Sequence, residues 1–578
     1  MSVQTGETIP PAPASQRAVD RARHRIAIWR ADPNPIWIRE LRQSARLTRT
    51  PFILMAITMF VTLIIAAVGG VLSDQVASDK VGLATFNTFF SIAFFLVAWV
   101  GPALAANAIA SEREGRTWEA VLLTGLRPQV IARGKFLAAF TAIGTYIVTL
   151  APVGALCFLF GGVQALEVAI AFVFLFIFAL LSVAFGLALS SKMASSRGAI
   201  VLTLLLSVPI SLFVYGLGGP AMSTAIHRLW AAVPEGPPVW LPMAYVRGSF
   251  GFEYLVLLVG LPAILVVLPA WFFYETTVAN LSGNNDDRSS GMKHWFAVSS
   301  LLLTATAVLA LYSVPANDVD DFGVFALVLL SMYAAFCAFV FAGEPVGPSR
   351  RVTMDWERSG AGAIRRFFGP GLVRAAELQL IGLLPAFALT TFVAAYILLS
   401  TPPSSMPYYT PKSPDGIIRF GSYAASFYVF VVGAGAFLRA RASAPTPARV
   451  LLFVTMAAIA VVPWIVAAIG GAIARSDEAL AVASPSPFFA FALLGDSKPD
   501  VVYLSGWGMS ALWVVLGFTL LVVAGRKSRE IVAKFERTLA EAEQRLAEED
   551  AAMEAALLAE AEARAPAGGE PQGGEGPA

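Results

Sequence analysis

Twelve long apolar runs recur along the sequence, and they constrain the fold more than any other feature. A helix needs about 20 mostly apolar residues to cross a bilayer. Hydrocarbon offers the backbone no water, so each run is expected to be helical. The runs lie at 52–72, 86–110, 136–160, 165–190, 198–217, 253–279, 296–314, 322–343, 377–400, 420–438, 450–474 and 503–524. The sequence therefore predicts an all-α polytopic membrane protein with about twelve transmembrane helices.

The composition excludes an ordinary soluble domain. Charged residues make up 14% of the chain and hydrophobic residues 57%, whereas about a quarter of the residues of a soluble domain are charged. Cys157 and Cys337 both lie inside apolar runs, which favours small packing residues over a disulfide. No secretory signal peptide is expected, because residues 1–50 contain no apolar h-region.

The distribution of Lys and Arg predicts the topology. With a cytoplasmic N-terminus and twelve alternating spans, cytoplasmic segments hold 34 of the 41 Lys and Arg residues and outside segments hold 7. This bias is what the positive-inside rule requires. Two long outside segments follow, 218–252 and 475–502, each with proline-punctuated apolar stretches. Short helices that enter the outer leaflet and plain loops both fit these segments.

The order and length of the loops indicate two halves. A six-helix membrane half at 52–280 follows a cytoplasmic N-terminal tail at 1–51, and a second half occupies 281–525. In each half a basic cytoplasmic loop follows the second span and begins with a glutamate, Glu112 or Glu344. Because six spans are an even number, the halves are expected to be parallel repeats.

The two tails carry helical patterns. Before the first span, Arg39, Arg42, Arg46 and Arg49 recur at helical spacing opposite an apolar face, with Trp37 beside that face. We expect an amphipathic interfacial helix whose arginines lie near anionic lipid headgroups; a helix extension that carries positive-inside charges is the alternative. The cytoplasmic segment 526–578 predicts an Ala/Glu-rich single helix, too weak in its heptads for a coiled coil, and a disordered tail.

The chain lacks the groups that most transporters and enzymes need within the membrane. Glu167, Glu253, Glu275 and Glu377 lie near span ends, and no Asp, Lys, Arg or His is placed mid-membrane. Ion-coupled carriers usually need such groups. The three histidines are scattered, and the nearest approach to a P-loop, "RGKF" at 133–136, lacks the first glycine and the Ser/Thr. We therefore expect no enzyme activity, metal or cofactor in this chain.

One charged cluster stands directly after the second apolar run, in "ASEREGRTWEAVLLTGL" at 110–126. Thr117 can cap a short helix that carries Trp118, Val121, Leu122 and Leu123 on an apolar side. Such a helix, held between two spans, could transmit a movement of a partner protein to both spans. Anchoring of a helix end at the membrane interface is the simpler explanation of these charges.

The cluster resembles a motif of the type-2 class of ABC exporter permeases. That class has an interfacial helix before six spans and an E-R-E-x-G-T-x-E-x-L-L-like stretch at the end of the second span. A coupling helix and a G-K pair follow before the third span. The matching residues are Glu112, Arg113, Glu114, Gly115, Thr117, Glu119, Leu122, Leu123, Gly134 and Lys135. Here the spacer before the glycine is absent, and Arg116 precedes Thr117. The opening "NPIWIRELRQ" is also similar to bacterial members, whereas the second half resembles the class only in layout.

The resemblance implies the permease subunit of an ATP-driven exporter in a bacterial inner membrane. It also implies a separate ABC ATPase that binds ATP and Mg and docks on the cytoplasmic loops. The expected partners are thus ATPase subunits, membrane lipid and an unidentified exported substrate, with no nucleic acid. The expected coupling residues are those of the motif together with Glu344. A six-plus-six secondary carrier and a non-transporting membrane scaffold are the alternatives.

The charge distribution leads to a test of topology. After replacement of Cys157 and Cys337, a cysteine at position 235 should react with an impermeant thiol reagent added outside intact cells. A cysteine at position 285 should react only after permeabilisation. Labelling of position 285 but not of position 235 in intact cells would contradict the predicted orientation.

Overall fold

The computed structural model describes residues 33–45, 49–73, 76–236, 240–283, 285–315, 318–400, 414–474, 477–495 and 498–564. Within these ranges the regular secondary structure is helical and contains no strand. The predictions that concern residues 1–32, Arg46 and the tail after residue 564 fall outside the described residues. The predicted all-α class is confirmed.

Twelve of the described helices are long and apolar enough to cross a membrane, as the sequence predicted. Spans 1 to 6 are Pro51–Ser73, Ser78–Glu114, Pro128–Leu159, Ala165–Ser190, Ser196–Leu229 and Phe252–Leu281. Spans 7 to 12 are Ser290–Ser313, Val319–Phe341, Leu372–Ser400, Pro414–Arg441, Pro445–Gly471 and Asp500–Glu560. Span 3 consists of two helices, Pro128–Thr149 and Ala151–Leu159, and spans 5 and 6 contain π-helical segments at Val214–Gly218, Leu255–Gly260 and Ala263–Val267.

Shorter helices join or precede the spans. The interfacial helix, Pro35–Ala45, precedes span 1, and a loop helix, Trp118–Leu123, follows span 2. After span 8 come the second-loop helix, Arg350–Arg358, and a helix at Ala363–Phe368. Helical segments also occupy the two predicted outside segments: the last part of span 5, Gly219–Leu229, the α-helix Trp240–Arg247, and the 3-10 helices Asp477–Ala483 and Pro487–Leu493.

Buried apolar side chains form two main clusters. One contains residues between Ile36 and Leu281, and the other residues between Trp295 and Ala524. Span 7 packs along span 6 between them, where the indole Nε1 of Trp295 donates to the carbonyl oxygen of Leu268 at 2.8 Å. The domain boundaries and the repeat relation between the halves stay predictions.

Glycines allow the central helices to approach closely. A Cβ on Gly186 of span 4 would lie 2.2 Å from the carbonyl oxygen of Pro102 in span 2. In the second half, a Cβ on Gly433 of span 10 would lie 2.2 Å from the carbonyl oxygen of Gly517 in span 12. Small residues at such crossings let membrane helices gain dispersion energy that a larger side chain would prevent.

Span 12 continues without a break into the C-terminal segment. The helix runs from Asp500 to Arg564, which corresponds to roughly 100 Å at 1.5 Å per residue. Its middle packs against the start of the loop after span 8, where the Ser528 hydroxyl donates to the Val346 carbonyl oxygen at 3.0 Å. Arg350 and Glu543 form an ion pair further along. The side chains of residues 543–560 are exposed, as a solvated helix requires, and the cytoplasmic location of this helix stays a prediction.

Span 12 also offers a matched test of the close packing. Substitution of Gly517 by Val would place a side chain 2.6 Å from the backbone oxygen of Val429, and we expect loss of monodisperse protein in detergent. A Cβ on Gly508 of the same helix would have no neighbouring atom within 4 Å, so Gly508→Val should purify like the wild type. Size-exclusion profiles that were identical for the two variants would contradict the packing.

Candidate functional site

The carboxylate of Glu112 joins the end of span 2 to two other elements. Its Oε1 contacts the guanidinium of Arg39 in the interfacial helix. Its Oε2 lies 3.0 Å from the Nζ of Lys135, near the start of span 3. The sequence singled out Glu112 as a coupling residue, and the structure adds the identity of its two cationic neighbours.

Lys135 is the centre of this ion-pair cluster. Its side chain is fully buried, and its Nζ lies 3.2 Å from Oε1 of Glu40 and donates to the Ala108 carbonyl oxygen at 2.7 Å. Arg39 lies 2.7 Å from the same oxygen of Glu40. Arg39, Glu40, Glu112 and Lys135 form a quartet with two charges of each sign. A buried charge is tolerated when it is paired and its remaining hydrogen-bonding capacity is used.

The electrostatics of the quartet keep Glu40 ionised. Burial by itself raises the pKa of Glu40, but the positive charges of Lys135 and Arg39 and their hydrogen bonds outweigh that effect, and the net pKa is lowered. The pairing therefore persists at neutral pH and contributes stability that is lost as the pH falls through the lowered pKa.

Backbone packing seats the interfacial helix on span 3. Asn34 caps that helix: its Oδ1 accepts from the amides of Ile36 and Trp37 at 3.0 and 3.3 Å. Its Nδ2 donates to the Val130 carbonyl oxygen at 2.8 Å. A Cβ on Gly134 would lie 2.6 Å from Ile36, so the glycine of the "GK" pair is where the two backbones approach.

Other predicted residues of the interfacial helix lie apart from the quartet. The indole of Trp37 donates to the Thr141 hydroxyl at 3.3 Å, and Arg42 is exposed. Arg49 begins the helix of span 1, but its side chain is not described. Of the stripe arginines whose side chains are described, Arg39 lies at the site and Arg42 does not.

A tight turn connects Glu112 to the loop helix. The backbone amide of Thr117 donates to the Glu112 carbonyl oxygen at 2.9 Å, and its hydroxyl donates to the same atom at 3.3 Å. Thr117 was predicted to cap the helix, and its recorded side-chain contact instead fixes the turn. Arg116 adopts φ = 55° in that turn, a left-handed conformation that is uncommon outside glycine.

The loop helix has one packed side and one open side. Val121 is buried, and Trp118 is half-buried with the Arg113 guanidinium 5.6 Å from its ring centre. Leu123 is 88% exposed, and Glu119 is exposed. The expectation that Trp118, Val121 and Leu123 share one side is wrong, because residues two apart lie on roughly opposite sides of a helix. The side chain of Leu122 lies outside the described residues.

Glu114 connects span 2 to span 5. One of its carboxylate oxygens accepts from the backbone amide of Ser196 at 2.9 Å, at the first residue of span 5. Negative charge at a helix N-terminus is stabilised by the unpaired amides and the helix dipole. The turn after span 2 is therefore tied to spans 3 and 5 and to the interfacial helix.

Glu344 occupies a different arrangement in the second half. It is 7% exposed, and its Oε1 lies 3.1 Å from the Nζ of the fully buried Lys293. That lysine belongs to span 7, not to the third span of its half, and it donates to the Gly369 carbonyl oxygen at 2.7 Å. Burial raises the pKa of Glu344, and the charge of Lys293 opposes this effect only in part.

Sequence reasoning missed Asn34, Glu40 and Lys293. Glu40 interrupts the basic stripe of "WIRELRQ", and an acid among arginines was the available signal. Nothing in the local pattern around Lys293 pointed to Glu344, because the two residues meet only through tertiary packing. The structure gathers Arg39, Glu112 and Lys135 and places Glu344 in the other half.

Part of the quartet lies in a segment that matches a known protein family. Residues 71–274 match the family model of the ABC-2 family transporter protein. This segment is therefore similar to the membrane domains of ABC-2 family transporters. It includes Glu112 and Lys135, whereas the interfacial helix lies before it and the second half after it. No curated protein and no solved structure matches the chain significantly.

Removal of the central lysine tests the structural role of the quartet. Lys135→Met should lower the thermal unfolding midpoint of the purified protein, because Glu40 and Glu112 lose a buried cation. Loss of one partner of a buried pair typically costs about 3–5 kcal/mol. The control is Lys192→Met, which removes an exposed lysine and should leave stability within about 0.5 kcal/mol. Equal midpoints for the two variants would rule out a structural role of the pairing.

Proposed function

We propose that the chain is the membrane subunit of an ATP-driven exporter in a bacterial inner membrane. ATP is bound with Mg and hydrolysed by a separate ABC ATPase subunit, and this chain has no catalytic centre, metal or cofactor of its own. Both termini lie in the cytoplasm. The ABC-2-type domain supports a permease, and the 34-to-7 distribution of Lys and Arg supports the orientation.

The observation that carries the proposal is the open side of the loop helix. Leu123 is an apolar side chain with 88% exposure in a loop between spans. It stands on a helix whose other side is packed through Val121. An exposed apolar residue on a rigid support is suited to insert into a pocket of a partner protein. We assign the loop helix as the element that docks in a cleft of the ATPase.

The quartet supplies a route from the docked helix to the spans. The Glu112 carbonyl oxygen holds the turn before the loop helix, while its carboxylate holds Arg39 and Lys135. A displacement of the loop helix must therefore move span 2, span 3 and the interfacial helix together or break a buried pairing. ATP can drive this motion only if the loaded ATPase binds the two conformations with different affinity.

Docking can be tested with paired substitutions. Leu122→Asp/Leu123→Asp should abolish co-purification of the ATPase, because two carboxylates would have to be buried at the contact. The matched control is Leu557→Asp/Leu558→Asp on the C-terminal helix, where both leucines are 61% exposed. This control should retain the full amount of ATPase.

Two results would decide against the docking assignment. If the Leu122/Leu123 variant retained a full complement of ATPase, the loop helix would not be the docking element. The second-loop helix, Arg350–Arg358, would then be the next candidate. If no ABC ATPase co-purified with the wild type, and transport persisted without one, the chain would not be an ATP-coupled subunit.

A further inference from the structure

Two arginines in the second half converge on the end of span 8. Arg439, in the last turn of span 10, donates through Nε to the Glu344 carbonyl oxygen at 2.9 Å and through Nη1 to the Ala442 carbonyl oxygen at 3.0 Å. Arg449, near the start of span 11, donates through Nη2 to the Val340 carbonyl oxygen at 2.9 Å. Carbonyl groups at a helix C-terminus carry partial negative charge and attract cations.

The positive charge at this place exceeds the negative charge. Glu344 is the carboxylate recorded as acting on both arginines, and its side chain is already paired with the buried Lys293. Asp287 and Arg374 also act on Lys293, but their charges have opposite signs. Among the described residues, Lys293, Arg439 and Arg449 therefore oppose one glutamate, which leaves two positive charges in excess.

Two uncompensated positive charges cost free energy where they are buried. Arg439 is 8% exposed, and Lys293 is fully buried. Partial charges on carbonyl groups orient a guanidinium but do not neutralise it. Charged side chains away from water are normally balanced by an opposite charge. The cluster is therefore built to receive an anion.

Arg449, whose side chain is partly exposed, has one unused donor. The Nε of Arg449 is buried and has no hydrogen-bond partner among the described residues. Its guanidinium lies 6.0 Å from the ring centre of Phe339, which is 41% exposed. The next residue, Val450, is an exposed apolar residue on the outside of span 11.

We propose that Arg449 and Arg439 bind the phosphate group of an anionic phospholipid at the ends of spans 8, 10 and 11. The planar guanidinium fork suits phosphate oxygens, and a headgroup with net negative charge offsets part of the excess. Free phosphate offers the same hydrogen-bond acceptors. A lipid also supplies acyl chains. These can cover the exposed apolar side chains of Phe339 and Val450, which lie beside Arg449.

This site differs from the interfacial helix in how its charge is balanced. Arg39 is matched by Glu40 and Glu112 within the quartet, so the quartet itself has no excess positive charge that an external anion would balance. The lipid site belongs to the second half, outside the segment that matches the ABC-2 family. It also does not depend on the docking of an ATPase.

The test uses the full-length protein, delipidated in a non-ionic detergent. Phosphatidylglycerol and phosphatidylcholine are titrated separately, and bound lipid is counted by native mass spectrometry. Wild type should retain phosphatidylglycerol in preference to phosphatidylcholine. Arg449→Gln should weaken the binding of phosphatidylglycerol roughly tenfold, because a charge-assisted phosphate contact is lost. Arg526→Gln removes an exposed arginine and should bind as the wild type does.

Three outcomes would overturn the site. The first is equal affinity of the wild type and Arg449→Gln for phosphatidylglycerol. The second is equal retention of phosphatidylcholine and phosphatidylglycerol by the wild type. The third is displacement of phosphatidylglycerol by millimolar inorganic phosphate, which would identify a soluble anion as the ligand. If Arg449→Gln does not fold, Arg449→Lys replaces it; this variant keeps the charge, loses the fork and Nε, and should bind the lipid more weakly than the wild type.

Discussion

The absence of water from the bilayer interior is the constraint on which the structure depends. It requires backbone groups to be paired within helices, and it makes a charge in mid-membrane expensive. Twelve apolar helices satisfy the first requirement. The second requirement confines ion pairs to the ends of the helices. The quartet around Lys135 and the pair of Glu344 and Lys293 both lie at such ends.

Ionic contacts at these ends hold together elements that are far apart in sequence. Glu112 contacts Arg39, which precedes span 1, and Lys135 in span 3, while Glu114 accepts from the first amide of span 5. The loop helix is therefore attached to several spans and not to span 2 alone. A rigid attachment of this kind is what a mechanical link between a partner protein and a membrane path requires, because a flexible loop would absorb the motion.

The two halves apply the same chemistry in different ways. The first half balances its buried lysine with two glutamates and leaves an apolar residue of the loop helix exposed. The second half pairs its lysine with one glutamate and adds two arginines at the same place. It also packs the long helix of span 12 against the start of its loop. Because their charges are balanced differently, the first half is suited to contact a protein partner and the second half is suited to bind an anionic lipid.

The sequence by itself determined the class and the twelve spans, and it singled out Glu112 as a candidate coupling residue. Hydrophobic length and charged residues at span ends are local properties, and the membrane acts on them directly. The partners of Glu112 and Glu344 were decided by tertiary structure, because Arg39 and Lys293 reach them only when separate helices pack. The loop helix differs in this respect, because residues two apart, such as Val121 and Leu123, lie on roughly opposite sides of a helix; tertiary packing decided only that Val121 is the buried one and Leu123 the exposed one. Ion pairing depends on distances between helices, and a one-dimensional pattern does not contain those distances.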